Sequence, residues 1–160
     1  MKRSLLTLAS LALILSAPLR SSAHCEIPCG IYTDEMRIAM IAEHAATIEK
    51  SMAQITALSK DAGANANQLA RWVANKESHA TEVQGIVTQY FMTQRIKPSA
   101  DKYQEKLVLL HALLIDAMKC KQTTDAAHVD SLRKNLTAFS TLYFGKEAHS
   151  HAHGDHDHKH

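Results

Sequence analysis

Arg37-Ile38-Ala39-Met40-Ile41-Ala42-Glu43-His44-Ala45-Ala46-Thr47-Ile48-Glu49-Lys50-Ser51-Met52-Ala53-Gln54-Ile55 sets Ile38, Ile41, Ala45, Ile48, Met52 and Ile55 at intervals of 3, 4, 3, 4 and 3. That alternation returns every apolar side chain to one face of a helix, whereas a half-buried strand needs strict alternation. Asp34 stands where an N-cap is wanted, and Gly63 where the helix can stop.

The same spacing recurs downstream. It predicts a second helix from roughly Asn67 to Gln94, with Leu69, Val73, Ala80, Val83, Val87 and Tyr90 facing inward. The middle of that helix, Asn75-Lys76-Glu77-Ser78-His79, is unusually polar. Pro98 breaks the chain and Ser99 offers a cap to a third helix lined by Tyr103, Leu107, Leu110, Leu114 and Met118. After the break at Thr123-Thr124-Asp125, a fourth helix carries Val129, Leu132, Leu136, Phe139 and Tyr143, and Gly145 ends it. Four amphipathic helices with short connections imply an all-α fold, an antiparallel four-helix bundle over residues 33–145. Only 5 glycines and 3 prolines in 160 residues agree with long helices, and no alternating strand pattern competes. Three cysteines are too few for a disulfide-built scaffold.

Residues 1–23 read as a secretory signal peptide. Lys2 and Arg3 precede the apolar run 5–15, and Ser21-Ser22-Ala23 supplies the small residues of a cleavage site. The run is shorter than the ~20 residues a membrane span needs, so no stable membrane anchor is expected. The mature chain then begins at His24 and is exported to the periplasm or an equivalent extracytoplasmic compartment. Loss of Lys2, Arg3 and Arg20 leaves 15 of the 18 basic residues against 16 acidic ones, so the formal +2 becomes about −1. No basic field remains to attract nucleic acid. Residues 146–160 lack apolar periodicity and hold six of the eleven histidines. They read as a disordered tail able to collect extra Ni(II), Cu(II) or Zn(II).

The chemistry concentrates at His24-Cys25-Glu26-Ile27-Pro28-Cys29-Gly30-Ile31-Tyr32. Cysteines four apart can chelate one ion if the chain turns sharply, and Pro28 and Gly30 permit that turn. Cleavage after Ala23 adds the α-amine and imidazole of His24, with the amide of Cys25 lying between them and the thiolates. Amine, deprotonated amide and two cis thiolates describe a square plane, which suits Ni(II) or Cu(II) better than tetrahedral zinc. The imidazole of His24 can approach from above that plane. Three other readings of the cysteine pair stand beside this one: a local disulfide, a zinc site short of its usual fourth ligand, and a thiol redox pair of uncommon spacing.

The nine-residue segment resembles the nickel hook of nickel-containing superoxide dismutases, departing only in Glu26, where that family usually has aspartate. Gln89-Tyr90-Phe91, Lys97-Pro98, Lys102-Tyr103 and Leu110-His111 follow the order of the family's second and third helices. The resemblance implies a four-helix subunit and one nickel ion held by His24, Cys25 and Cys29. It implies that Tyr32 orders water or substrate at the open face, with Tyr90 as a second nearby tyrosine. The implied activity is disproportionation of superoxide to O2 and H2O2 by Ni(II)/Ni(III) cycling, in a homohexamer. The family's glutamate on the first helix and arginine on the second, which orient the imidazole, register here on Ala39 or Met40 and on Asn75. Glu43, Glu77 and His79 are the substitutes the sequence offers, although a solvated helix face explains Glu77 and His79 equally well. His44, His111 and His128 read as surface or core-edge residues, and Cys120 as a small semi-buried one. The alternative function is a non-enzymatic exported nickel or copper carrier that uses segment and tail together.

Overall fold

The computed structural model describes residues 33–145. Helix α1 runs Asp34–Leu58 and, after a tight 3-10 turn at Ser59–Asp61, α2 runs Ala62–Gly85. The second helix continues without a break as a π-helical segment, Ile86–Arg95, before α3 at Tyr103–Gln122 and α4 at Ala126–Phe144. The helices pack antiparallel, and each lies against its neighbours in a closed ring: α1 on α2, α2 on α3, α3 on α4 and α4 on α1. The all-α bundle read from the spacing is the fold observed.

Apolar periodicity locates the faces of α1 and α4 directly. Ile41, Ala45, Ile48, Met52 and Ile55 are buried on α1, joined by Ser51, whose hydroxyl donates to the Thr47 carbonyl at 2.8 Å. On α4 the buried set is Val129, Leu132, Leu136 and Phe139, with Tyr143 packed at its edge. Phe91 meets Phe139 edge to face at 5.0 Å and closes the core between α2 and α4. Such aromatic pairs add roughly 1 kcal/mol beyond the area they bury.

Helix α3 is rotated from the sequence expectation, whereas α2 buries Ala80, Val83, Val87 and Tyr90 as expected and departs from it only nearer its start. On α3 Leu110 is buried as expected, but Lys106, Leu113, Ala117 and Cys120 form the rest of the deep stripe. Tyr103, Leu107 and Leu114 only flank it, and Met118 is 37 % exposed. Residues 107–110 and 113–114 are apolar all round, so periodicity alone allows two stripes, and contact with both α2 and α4 selects one. On α2 Val73 is exposed, while Lys76 is 3 % exposed and occupies the inward position. Its ammonium donates to the carbonyls of Cys120 and Lys121 at the C-terminal end of α3 and pairs with Glu77 at 3.3 Å. A cation belongs at such a helix end, where orphan carbonyls gather.

The caps also shift. Thr33, not Asp34, caps α1 by accepting from the Met36 N–H at 3.2 Å. Helix α2 starts at Ala62, not Asn67, because Asp61 accepts from Ala64 N–H; Gly63 therefore lies in its first turn and stops nothing. Ser99 does not cap α3, which is entered through Lys102 in the left-handed region at φ 51°. Asp125 caps α4, and Gly145, at φ 66°, ends it as expected. Among the described residues no helix is long and apolar enough to cross a membrane.

Candidate functional site

His24, Cys25, Cys29 and Tyr32 lie outside the described residues, as do the signal segment 1–23 and the tail 146–160. The structure describes the end of the bundle into which that N-terminal segment feeds, since Thr33 follows Tyr32 directly. With Thr33 as cap, Asp34 is free for other partners. Its Oδ1 accepts from the Tyr90 hydroxyl at 2.5 Å and from Arg95 Nε at 2.6 Å, and its Oδ2 accepts from the Tyr143 hydroxyl at 2.8 Å. A second Arg95 nitrogen lies 2.6 Å from Oδ1. One carboxylate thus joins the start of α1 to the π segment and to the last turn of α4.

The π segment makes this possible. Its wider turn, seen in the bond from Ile96 N–H to the Phe91 carbonyl five residues earlier, turns consecutive pairs toward the core: Ile86 with Val87, and Tyr90 with Phe91. π-type turns recur at functional sites because they re-aim side chains in this way. The guanidinium carbons of Arg37 and Arg95 lie 5.1 and 5.4 Å from the Tyr90 ring centroid, within cation–π range.

Charge follows from the geometry. Burial pushes the Asp34 carboxyl up, but the hydrogen bonds from Tyr90, Tyr143 and Arg95 together outweigh it and hold the group below its ordinary value. Burial, followed by the bond to Asp34, raises the Tyr90 phenol and pushes that of Tyr143 up to about 12. Both phenols therefore stay protonated and donate to an ionised carboxylate. Tyr90 is a fixed donor here, with its hydroxyl proton committed to Asp34.

The positions registered against the family's glutamate and arginine do not meet. Ala39 is exposed, and Met40 offers its sulfur to Arg37 at 3.8 Å. Asn75 donates to Ser51 Oγ at 3.0 Å. Ser51 lies roughly 16 Å farther along α1 than Met40, at 1.5 Å per residue. Of the three substitutes, Glu43 is exposed and Glu77 accepts from Lys76. His79 faces His44, with Nδ1 atoms 2.8 Å apart. His44 and His128 are half-buried and His111 is exposed, as edge residues should be. Cys120 is fully buried, deeper than expected, and burial pushes its thiol up to about 11, which keeps it a protonated packing group. Among the described residues no group of three or more His, Cys, Asp or Glu could hold a metal ion.

Sequence reasoning named Asp34 as a cap, Tyr90 as a nearby tyrosine and Tyr143 as core, but it did not join them and did not single out Arg95. Nothing local could have done so, because Asp34 reaches its partners across 56, 61 and 109 residues.

A family model for nickel-containing superoxide dismutase matches residues 19–147, a span that includes the segment 24–32. No curated protein and no solved structure matches the chain.

Proposed function

The chain belongs to the nickel-containing superoxide dismutase family, an oxidoreductase family whose name carries its metal and its substrate, and from that premise we propose that residues 24–32 form its nickel-binding active site after cleavage behind Ala23. The observation that carries this reading is the segment His24-Cys25-Glu26-Ile27-Pro28-Cys29-Gly30-Ile31-Tyr32, lying inside the matched span and directly before the capped start of α1.

The donor set suits nickel. His24 would hold the ion by its α-amine and imidazole, Cys25 by its amide nitrogen and thiolate, and Cys29 by its thiolate; strong-field nitrogen and soft sulfur donors suit nickel. When bound, nickel supplies the one-electron cycling that lets two superoxide anions and two protons become O2 and H2O2. The chain's own part is to bind, orient and deliver protons. Tyr32 orders water or substrate through its hydroxyl, a route for the protons the reduced product needs. Asp34, two residues on, ties the start of α1 to Tyr90, Arg95 and Tyr143. Export to the periplasm or an equivalent compartment belongs to this reading, because only cleavage after Ala23 frees the amine of His24. So does assembly into a homohexamer, which rests on the family resemblance.

Protein with an authentic His24 terminus will bind one nickel per chain and disproportionate superoxide. Adding one residue before His24 moves the amine and is expected to lower kcat/KM by more than about 100-fold, as loss of a metal ligand does. Full dismutase activity in the extended protein refutes this account of the site. Several ions per chain, released on deleting residues 147–160 and accompanied by no dismutation, would identify a carrier instead.

A further inference from the structure

His44 lies ten residues beyond Asp34, roughly 15 Å farther along α1. There it meets His79 of α2, with Nδ1 atoms 2.8 Å apart, ring centroids 5.0 Å apart and planes inclined by 60°. Two imidazole nitrogens in cis on one divalent ion, each at about 2.0–2.1 Å, stand roughly 2.9–3.4 Å apart for bond angles between square and tetrahedral. The observed separation lies beside the square end of that range. Packing of α1 against α2 holds both rings, although 35 residues separate them in the chain.

The surroundings favour a cation. The carboxylates of Glu82 on α2 and Glu43 on α1 both act on His44. Burial, and then the facing His79 ring, hold His44 below its ordinary pKa, which leaves its ring neutral with a lone pair to offer. His44 Nε2 is buried without a hydrogen-bond partner. No bond at Nε2 therefore dictates the tautomer, and Nδ1 can be the unprotonated nitrogen. Both rings are only half-buried, so an ion can reach them from solvent.

We infer that His44 and His79 form a second metal site, a two-imidazole clamp for a divalent transition-metal ion such as Zn(II), Cu(II) or Ni(II), built into the bundle and independent of residues 24–32. Among the described residues no third His, Cys, Asp or Glu completes a set of three, so water fills the remaining positions and the ion is exchangeable. Its effect is to cross-link α1 to α2.

The test uses the full mature chain, with nickel already in the hook, titrated with zinc sulfate. Imidazole nitrogen NMR is expected to show the Nδ1 signals of His44 and His79 moving together, and the thermal midpoint to rise by about 4 °C once zinc exceeds its Kd tenfold. His79→Gln removes the rise. Cys25→Ser, which disables the hook, keeps it, so failure of the clamp and failure of the hook read out separately. Zinc that shifts only the imidazoles of residues 149–160, or an equal rise in His79→Gln, overturns the inference. Should His79→Gln fold poorly, the NMR of the unaltered chain decides alone.

Discussion

Two of the polar clusters in the bundle differ in how completely they are closed. At the end where the N-terminal segment enters, both oxygens of the Asp34 carboxylate are taken up by Tyr90, Tyr143 and Arg95. Part-way along α1, His44 and His79 share one contact, and His44 Nε2 is left without a partner. A closed charge network fixes position, because every displacement breaks charge-assisted bonds. An open pair of rings fixes little and keeps donor capacity for something else. The first cluster therefore reads as an anchor for the start of α1, and the second as a place to bind.

Breaking the anchor should cost most. Asp34→Ala leaves two partly buried phenols and Arg95 without their acceptor, and is expected to destabilise the bundle by about 3 kcal/mol in urea unfolding, since bonds to charged groups each contribute ~1.5–3 kcal/mol. Under the proposed function, dismutase activity should fall with it, because the start of α1 that follows residues 24–32 loses its ties to the π segment and α4. The pH dependence has a definite sign. Asp34 titrates lower folded than unfolded, so its contribution is complete above the ordinary value of 3.8 and is lost as pH falls through the folded value. Asp34→Ala should flatten that acid limb. An unchanged acid limb would mean that Asp34 does not anchor the helix.

Tyr143→Phe probes the same network more gently, with an expected loss of about 1 kcal/mol at neutral pH. Here the folded pKa is raised, so the stabilisation is complete below the ordinary value of 10.0 and disappears as pH climbs through about 12. Denaturant midpoints measured across that alkaline window should slope less in the variant than in the parent chain. The smallest effect belongs to the open pair. His44→Leu removes a buried nitrogen that has no partner together with one contact to half-buried His79, so without added metal the unfolding free energy in urea should change by no more than about 1 kcal/mol, in either direction. A loss as large as that of Asp34→Ala would mean that the histidine pair is structural cement and erase the contrast.

The faces of α1 and α4 were legible because each carries one apolar stripe and no rival. The deep face of α3 was not, since Leu107 to Leu110 offer more than one stripe. Nor was the inward Lys76, because a buried ammonium is acceptable only once the carbonyls of Cys120 and Lys121 are known to face it. The segment proposed to hold nickel is a local motif that the sequence offers in one piece, and it lies outside the described residues. The anchor at the start of α1 was seen only as separate parts, a cap, a tyrosine and a core residue.

Local interactions account for what the sequence by itself determined: helical periodicity, the breaks at Pro98 and Gly145, and a run of nine residues whose donor chemistry points to nickel. The tertiary structure alone decided the rotation of α3, the inward place of Lys76 on α2, the promotion of Thr33 to cap that released Asp34, and the meetings of Asp34 with Tyr143 and of His44 with His79. Those depend on which helices become neighbours once the core closes, and side chains 35 to 109 residues apart carry no mark of one another until it does.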